Sequence, residues 1–388
     1  MLIGVESSLL TLLIVLAFGL VAPKVLKGLH LPFISVLILA GALFGPHGLG
    51  YVQNNDILAF FGFLGMTFLM LMAGLETRTG LLMKNKGRVL IMALLNGGVP
   101  FMVGFFITYS FGYSILASFL IGIVFISSSV AVIVPTLQNV GAFGKREGQL
   151  ILSAVLVTDV VSLISLGIIL QKVQPITHLP FFIYIPLLLI SIFALFFIIP
   201  KLADKGIKLY FTEDTYEARV RFIFVLTLAI LLYFAALGVH PILGAFLAGL
   251  VFSSAVHHLK QKDLRQSIHT LGYGIFIPIF FFIIGTEMDF SLFFGSDARG
   301  LITILLVFGL IVSKVVSGFI AAKIVGFKNK AAKVYGTISM TQLTTTLATT
   351  YAAASLGILD SLLVTSIILI SIVTTILSPV VVNLIVRK

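Results

Sequence analysis

The chain has 388 residues, of which 59% are hydrophobic and 10% charged, against about 25% charged in a soluble domain. That balance excludes a soluble globular protein and predicts a polytopic membrane protein with little soluble mass. The absence of cysteine excludes a disulfide framework, thiol catalysis and a cysteine metal site. The formal net charge of +11 does not point to nucleic acid, because the basic residues fall in short loops between apolar runs.

Thirteen hydrophobic segments follow one another, at about 7–28, 31–46, 57–75, 88–109, 114–138, 146–171, 179–199, 217–237, 241–256, 268–287, 300–322, 332–356 and 360–386. The second and ninth are short and glycine-rich, so tilting or shielding is expected there. Met1–Ser8 lacks a basic n-region and no small-residue cleavage site follows, so the first segment is expected to stay in the protein.

Alternate loops are basic. They carry Lys24 and Lys27; Arg78, Lys84, Lys86 and Arg88; Lys145 and Arg146; Lys201, Lys205, Lys208, Arg219 and Arg221; Lys260, Lys262 and Arg265; and Lys323, Lys328, Lys330 and Lys333. Arg387 and Lys388 end the chain on the same side. The opposite loops carry Lys172 and Arg299, and Lys314 lies inside a segment. This asymmetry predicts a multi-pass protein of the inner (plasma) membrane, with its N-terminus outside and its C-terminus in the cytoplasm. His257 and His258 are expected in a cytoplasmic loop as solvated residues.

The chain also repeats itself. Leu31-Pro32 with Leu39-Ala40-Gly41-Ala42-Leu43 resembles His240-Pro241 with Leu247-Ala248-Gly249-Leu250. Phe68 to Glu76, with its Ala73-Gly74-Leu75-Glu76 end, resembles Phe280 to Glu287, with Gly285-Thr286-Glu287. Seven segments separate the copies, an odd number of crossings, so the two halves are expected to be inverted. The predicted fold is all-α: thirteen transmembrane helices in two inverted six-helix repeats joined by a linker helix. Inverted repeats typify secondary transporters, whose sites lie at the repeat interface near the midplane.

Segment five holds Ser127, Ser128 and Ser129 at its middle and Pro135 further on, a residue that frees a carbonyl about one turn earlier. Its counterpart, segment twelve, holds Ser339, Thr341, Gln342, Thr344, Thr345 and Thr346. One such stretch suits helix packing. Two at corresponding positions predict a crossed pair of broken helices, offering carbonyls to cations.

Asp159 lies about 18–20 Å along segment six, near the bilayer midplane. A carboxylate there costs about a few kcal/mol, which makes it a functional-site candidate; a protonated acid serving as structural glue is the plain alternative. Thr158 precedes it, and Ser153 and Ser162 bracket it. Carboxylate, hydroxyls and carbonyls suit a small alkali cation, and no His or Cys accompanies them. Lys314 lies too deep in segment eleven to snorkel. It is expected to hold the empty site through a salt bridge, to stand in for the cation, or to orient a broken-helix carbonyl. Glu76 and Glu287 end their segments on opposite sides and are expected to cap gates or pair with loops.

These residues resemble the monovalent cation:proton antiporter superfamily, in the branch of the NapA-type sodium/proton antiporters, the GerN-like antiporters and the Kef potassium-efflux systems. Phe280 to Asp289, Ser127 to Val132, Thr158-Asp159 and Lys314 carry the likeness, which covers essentially the whole chain. It implies a NhaA/NapA-like fold and a homodimer in the lipid bilayer. Dimerisation-panel helices would occupy 1–87 and 213–299, a mobile core 88–172 and 300–388, and the linker 173–212. It also implies exchange of Na+, with Li+ as a companion, for H+ by elevator-type alternating access. Asp159 would be the shared site, with Thr158, Ser127, Ser128 and Ser129 as cation ligands. Lys314 would be a core charge or proton carrier, and Gln342, Thr344 and Thr345 would belong to the second broken helix. No cofactor is implied beyond the transported ions.

The chain departs from the family where electrogenic members carry a second acid: here Thr158 stands in that place. A K+/H+ antiporter or Kef-type potassium pathway is the alternative, although no nucleotide-binding domain follows the last segment. An organic-anion transporter is disfavoured by the deep carboxylate. An enzyme is not expected, because no His pair, metal motif or nucleophile elbow occurs.

Overall fold

Backbone amides in a bilayer core have no water to bond, so long apolar runs satisfy them internally as helices. The computed structural model describes residues 2–25, 33–53, 55–76, 85–142, 146–173, scattered positions between 182 and 201, 216–237, 241–259, 269–289, 291 and 299–387. In chain order its helices are α1 (Leu2–Val25), α2 (Phe33–Phe44), α3 (Asp56–Glu76), α4 (Lys86–Ser110), α5 (Ile115–Ile126), α6 (Val130–Asn139) and α7 (Arg146–Val173). They continue as α8 (Tyr216–Ala236), α9 (Pro241–Leu259), α10 (Ile277–Thr286), α11 (Arg299–Ile324), α12 (Asn329–Ser339), α13 (Thr344–Ser355) and α14 (Ser361–Arg387). A π turn, Gly272–Phe276, leads into α10.

Among the described residues, seven helical stretches are long and apolar enough to cross a membrane: Asp56–Leu75, Lys86–Ser110, Ile115–Asn139, Arg146–Val173, His269–Thr286, Gly300–Ile324 and Ser361–Arg387. Leu9–Val21, Phe33–Phe44, Phe224–Ala236 and Pro241–Ser253 are shorter apolar helices. The molecule is thus an all-helical membrane protein. The predicted linker segment is described only at scattered positions, and Lys27, Arg78, Lys84, Lys145, Lys205, Lys208, Lys260, Lys262 and Arg265 of the basic loops lie outside the described residues. His257 and His258 fall in the last turns of α9, not in a loop.

Two units divide the chain. One comprises Met1–Phe63, Gly80–Leu163 and Pro278–Lys388, and the other Leu64–Thr79 and Ile164–Ile277. Within the first, α2 meets α10 at Gly41 and Gly285. A Cβ on Gly41 would lie 2.0 Å from the Phe282 carbonyl oxygen, and one on Gly285 2.1 Å from that of Ile38. Within the second unit, α3 meets α9 at Gly74 and Gly249, with corresponding distances of 2.2 Å to Phe246 O and 2.1 Å to Leu71 O. The glycines of the two sequence repeats are therefore reciprocal packing partners. The first motif of one copy meets the second motif of the other, twice.

The helices that position the polar site repeat a glycine contact within each copy. Gly104 and Gly122 draw α4 against α5, and Gly318 and Gly336 draw α11 against α12 at a constant sequence offset. The Phe101 carbonyl crowds Gly122 as the Val315 carbonyl crowds Gly336. Small residues allow this backbone approach, which substitutes for the hydrophobic drive that lipid removes.

Candidate functional site: a crossing of two interrupted helices

Helix α5 stops at Ile126 and α6 starts at Val130. Ser127 and Ser129 are extended, at φ −66°, ψ 165° and φ −78°, ψ 107°. Pro135 lies inside α6, beyond this break. Helix α12 stops at Ser339 and α13 starts at Thr344. Two interruptions free carbonyls and amides that must bond elsewhere, and here they bond each other. Ser129 N donates to Thr341 O at 2.8 Å, and Gln342 Nε2 donates to Ser127 O at 2.7 Å. Ser128 Oγ donates to Ser339 O at 2.7 Å. Ser127 Oγ lies 3.2 Å from Gln342 Oε1 and 3.0 Å from Thr346 Oγ1, and Thr346 also bonds Gln342 Oε1.

Asp159, in the middle of α7, is 4% exposed and accepts from Ser128 N through Oδ1 at 3.1 Å. Its carboxylate meets the positive end of α6, where a negative charge is favoured. Lys314 of α11 is fully buried, and its amine donates to Ile126 O at 2.7 Å and to Ser128 Oγ at 3.0 Å. It meets the negative end of α5. Lys314 and Asp159 form no ion pair within 4 Å. They are linked through Ser128, which binds one with its hydroxyl and the other with its amide. Of the roles considered for Lys314, the contact made is the one to a broken-helix carbonyl.

The remaining sequence candidates sort by their bonds. Ser127 is locked to Gln342, and its hydroxyl also reaches Val124 O at 3.2 Å. Ser129 Oγ is buried without a hydrogen-bond partner, and so is Thr349 Oγ1 on α13. Thr158 is buried and donates to its own helix at Val155 O, 2.8 Å, which leaves its oxygen lone pairs uncommitted. Thr344 and Thr345 are buried in the first turn of α13. Ser162 ties α7 to α5 through Ile123 O at 3.0 Å, whereas Ser153 bonds back to Gln149 O. Glu76 ends α3, with its side chain outside the described residues. Glu287 follows α10 and acts electrostatically on Tyr351, about two turns along α13 from Thr344.

Three further residues contribute that the sequence does not single out. Thr374 of α14 accepts from Gln342 N at 3.1 Å, and Thr375 Oγ1 donates to Gln342 O at 3.3 Å. Asn96 of α4 donates to Lys314 O at 2.9 Å and to Ser317 Oγ at 3.2 Å. The constant offset that pairs Gly104 with Gly318 carries Ser128 onto Gln342 but Asp159 onto Val373, one residue short of Thr374. Asn96 was visible as a lone amide inside an apolar run.

An all-helical membrane fold with a buried carboxylate and a buried amine at a crossing of interrupted helices defines an ion-transporter class. The chain belongs to the sodium/hydrogen exchanger family, whose transmembrane profile matches residues 10–388. It is similar to a probable Na+/H+ antiporter 3 of Methanocaldococcus jannaschii, 27% identical over 97% of this chain and 96% of that one. It is also similar to a Na+/H+ antiporter of Enterococcus hirae, 29% identical over 84% of each chain. Its fold resembles the sodium proton antiporter MjNhaP1 of Methanocaldococcus jannaschii, with a TM-score of 0.76 at 15% identity over 98% of this chain and 99% of that one.

Proposed function

We propose that the protein is a secondary antiporter that exchanges Na+, and Li+ alongside it, for H+ across the cell membrane. The observation that carries this reading is the Asp159 carboxylate, buried at the head of α6 with one oxygen bonded to Ser128 N. Cation and proton compete for that carboxylate. Asp159, Thr158, Ser128 and Ser129 supply hard oxygen ligands, and the unpartnered Ser129 hydroxyl has most to gain from an ion. Ser127 is better suited to holding the crossing together than to binding the ion. No cofactor takes part.

Alternating access follows an elevator route in this reading. The helices after residue 88 in the first half and after residue 300 in the second move as a core against a panel that also forms a homodimer. The reciprocal glycine contacts support two inverted six-helix repeats, joined by a linker within 173–212, to give thirteen spans. The distribution of basic residues supports an outside N-terminus and a cytoplasmic C-terminus. An empty, ionised Asp159 is costly to move through the bilayer centre, so the core moves with the carboxylate neutralised by a proton or a cation. That penalty enforces exchange and suppresses leak. With one carboxylate and the Lys314 amine retained by Ile126 O, one proton leaves for each sodium, and exchange is electroneutral.

The test uses proteoliposomes with an internal pH dye and an imposed proton gradient. Sodium, lithium and potassium are added in turn to wild type and to Asp159→Asn. Sodium- and lithium-driven collapse of the gradient that vanishes in the variant supports the proposal. Equal collapse in both proteins removes Asp159 from the mechanism, and potassium-driven collapse without sodium response replaces the proposed cation.

A further inference from the structure

Away from the crossing, a cavity of about 410 Å³ opens between the start of α12 and the end of α14, lined by Lys330, Lys333, Val381, Leu384 and Ile385. The two lysines lie three residues apart, on one face of α12. Lys330 Nζ donates to Val386 O at 2.7 Å, which holds its ammonium at the cavity while leaving two N–H groups for other acceptors. Neither lysine forms an ion pair among the described residues. The stretches 323–340 and 377–388 contain no Asp or Glu, so the elements forming the cavity present uncompensated positive charge.

Directly along α14 from this charge runs an outward apolar stripe. Leu377, Val380 and Leu384 are 38%, 51% and 57% exposed, and their spacing of three and four residues places them on one helix face. The surface thus joins a cationic pocket at a helix end to a greasy track leading back along the membrane-spanning helix. A soluble anion has no use for the track, and an uncharged lipid has none for the lysines.

We propose that this cavity is a binding site for an anionic phospholipid. The phosphate sits between Lys330 and Lys333, the glycerol region occupies the cavity floor at Val381 and Ile385, and an acyl chain lies along Leu384, Val380 and Leu377. Basic pockets at the membrane surface between helices select anionic headgroups on the same electrostatic grounds. The site is independent of the antiport reading and stands or falls without a transport assay.

The experiment measures lipid retention by native mass spectrometry, and thermal unfolding, on the detergent-solubilised protein. Phosphatidylglycerol, phosphatidylcholine and inorganic phosphate are the three probes. Wild type is compared with Lys330→Gln/Lys333→Gln and with a control pair at another basic helix start, Lys86→Gln/Arg88→Gln. The expected result is retention of and stabilisation by phosphatidylglycerol in wild type and control, with affinity lower by about fivefold for each lysine removed at the cavity. Equal retention in the cavity variant, equal effects of phosphatidylcholine, stabilisation by phosphate alone, or no retention in wild type would each overturn the proposal.

Discussion

The two interruptions are built alike and finished differently. At the first, the carbonyl end of α5 meets the Lys314 amine and the head of α6 meets the Asp159 carboxylate. At the second, Ser339 O takes the Ser128 hydroxyl, and the amide of Gln342 reaches the Thr374 hydroxyl where the amide of Ser128 reaches an acid. Partial charges at helix ends are satisfied in one case by full charges and in the other by dipoles. The comparison teaches a division of labour within the proposed mechanism. A neutral arrangement that bonds both the amide and the carbonyl of Gln342 to threonine hydroxyls suits a scaffold. A charged one that leaves Ser129 Oγ unpartnered has a reason to change its occupant.

The largest effect is expected from making the first break resemble the second. Asp159→Thr keeps a hydroxyl acceptor for Ser128 N and removes the ionisable group. Cation-driven proton flux in proteoliposomes should fall to background while the protein remains folded by thermal unfolding. Retained flux would mean that a carboxylate is not what separates the two halves. Competition also fixes the sign of the pH dependence in wild type. Each proton added to Asp159 excludes a cation, so the apparent KM for sodium should rise as pH falls on the cation-binding side.

Lys314→Met tests the other full charge. It strips the donor from Ile126 O in a fully buried position, at a cost of about 1–3 kcal/mol in stability. Because the amine bonds a carbonyl and Ser128 and not a carboxylate, exchange by wild type and variant should be equally insensitive to membrane potential. A flux in wild type that scales with potential, and loses that dependence in Lys314→Met, would make the lysine a second proton carrier.

Much of this site was legible as chemical rarity. Asp159, Lys314 and the Ser127–Ser129 run stand out because polar groups are expensive in apolar segments, and the structure brings all of them to one crossing. The repeated motifs held Gly41, Gly74, Gly249 and Gly285 in view, but that these glycines meet reciprocally is known only from the packing. Bond partners were not legible. A salt bridge and a carbonyl contact both satisfy a buried lysine, and only the packing of α4, α5 and α11 selects the second. Thr374 and Thr375 were overlooked for a physical reason. A threonine in a membrane helix ordinarily bonds back to the preceding turn, as Thr374 does to Ile370 O at 2.8 Å, and nothing in the sequence marks its second bond across the crossing.

A smaller effect should separate the hydroxyls. Ser129→Ala removes a buried oxygen that bonds nothing, so stability should hold while the apparent KM for sodium rises by about fivefold, the worth of one ion–hydroxyl contact. Ser127→Ala removes a hydroxyl shared by Val124, Gln342 and Thr346, and should lower the unfolding temperature with a smaller change in KM. Equal KM shifts in both variants would assign both serines to the ion.

The smallest effect belongs to the neutral half. Thr374→Val is nearly isosteric and deletes the acceptor for Gln342 N, a single hydrogen bond in a buried setting. Its loss should cost about 1 kcal/mol, visible as a modest fall in unfolding temperature. Gln342 keeps its grip on the other interruption through Nε2 and Ser127 O, so the crossing should stay registered and flux should stay within about twofold of wild type at saturating sodium. A loss of flux comparable to that of Asp159→Thr, in a protein that still folds, would show that the hydroxyl-capped end takes part in ion exchange. The contrast between a working half and a supporting half would then have to be given up.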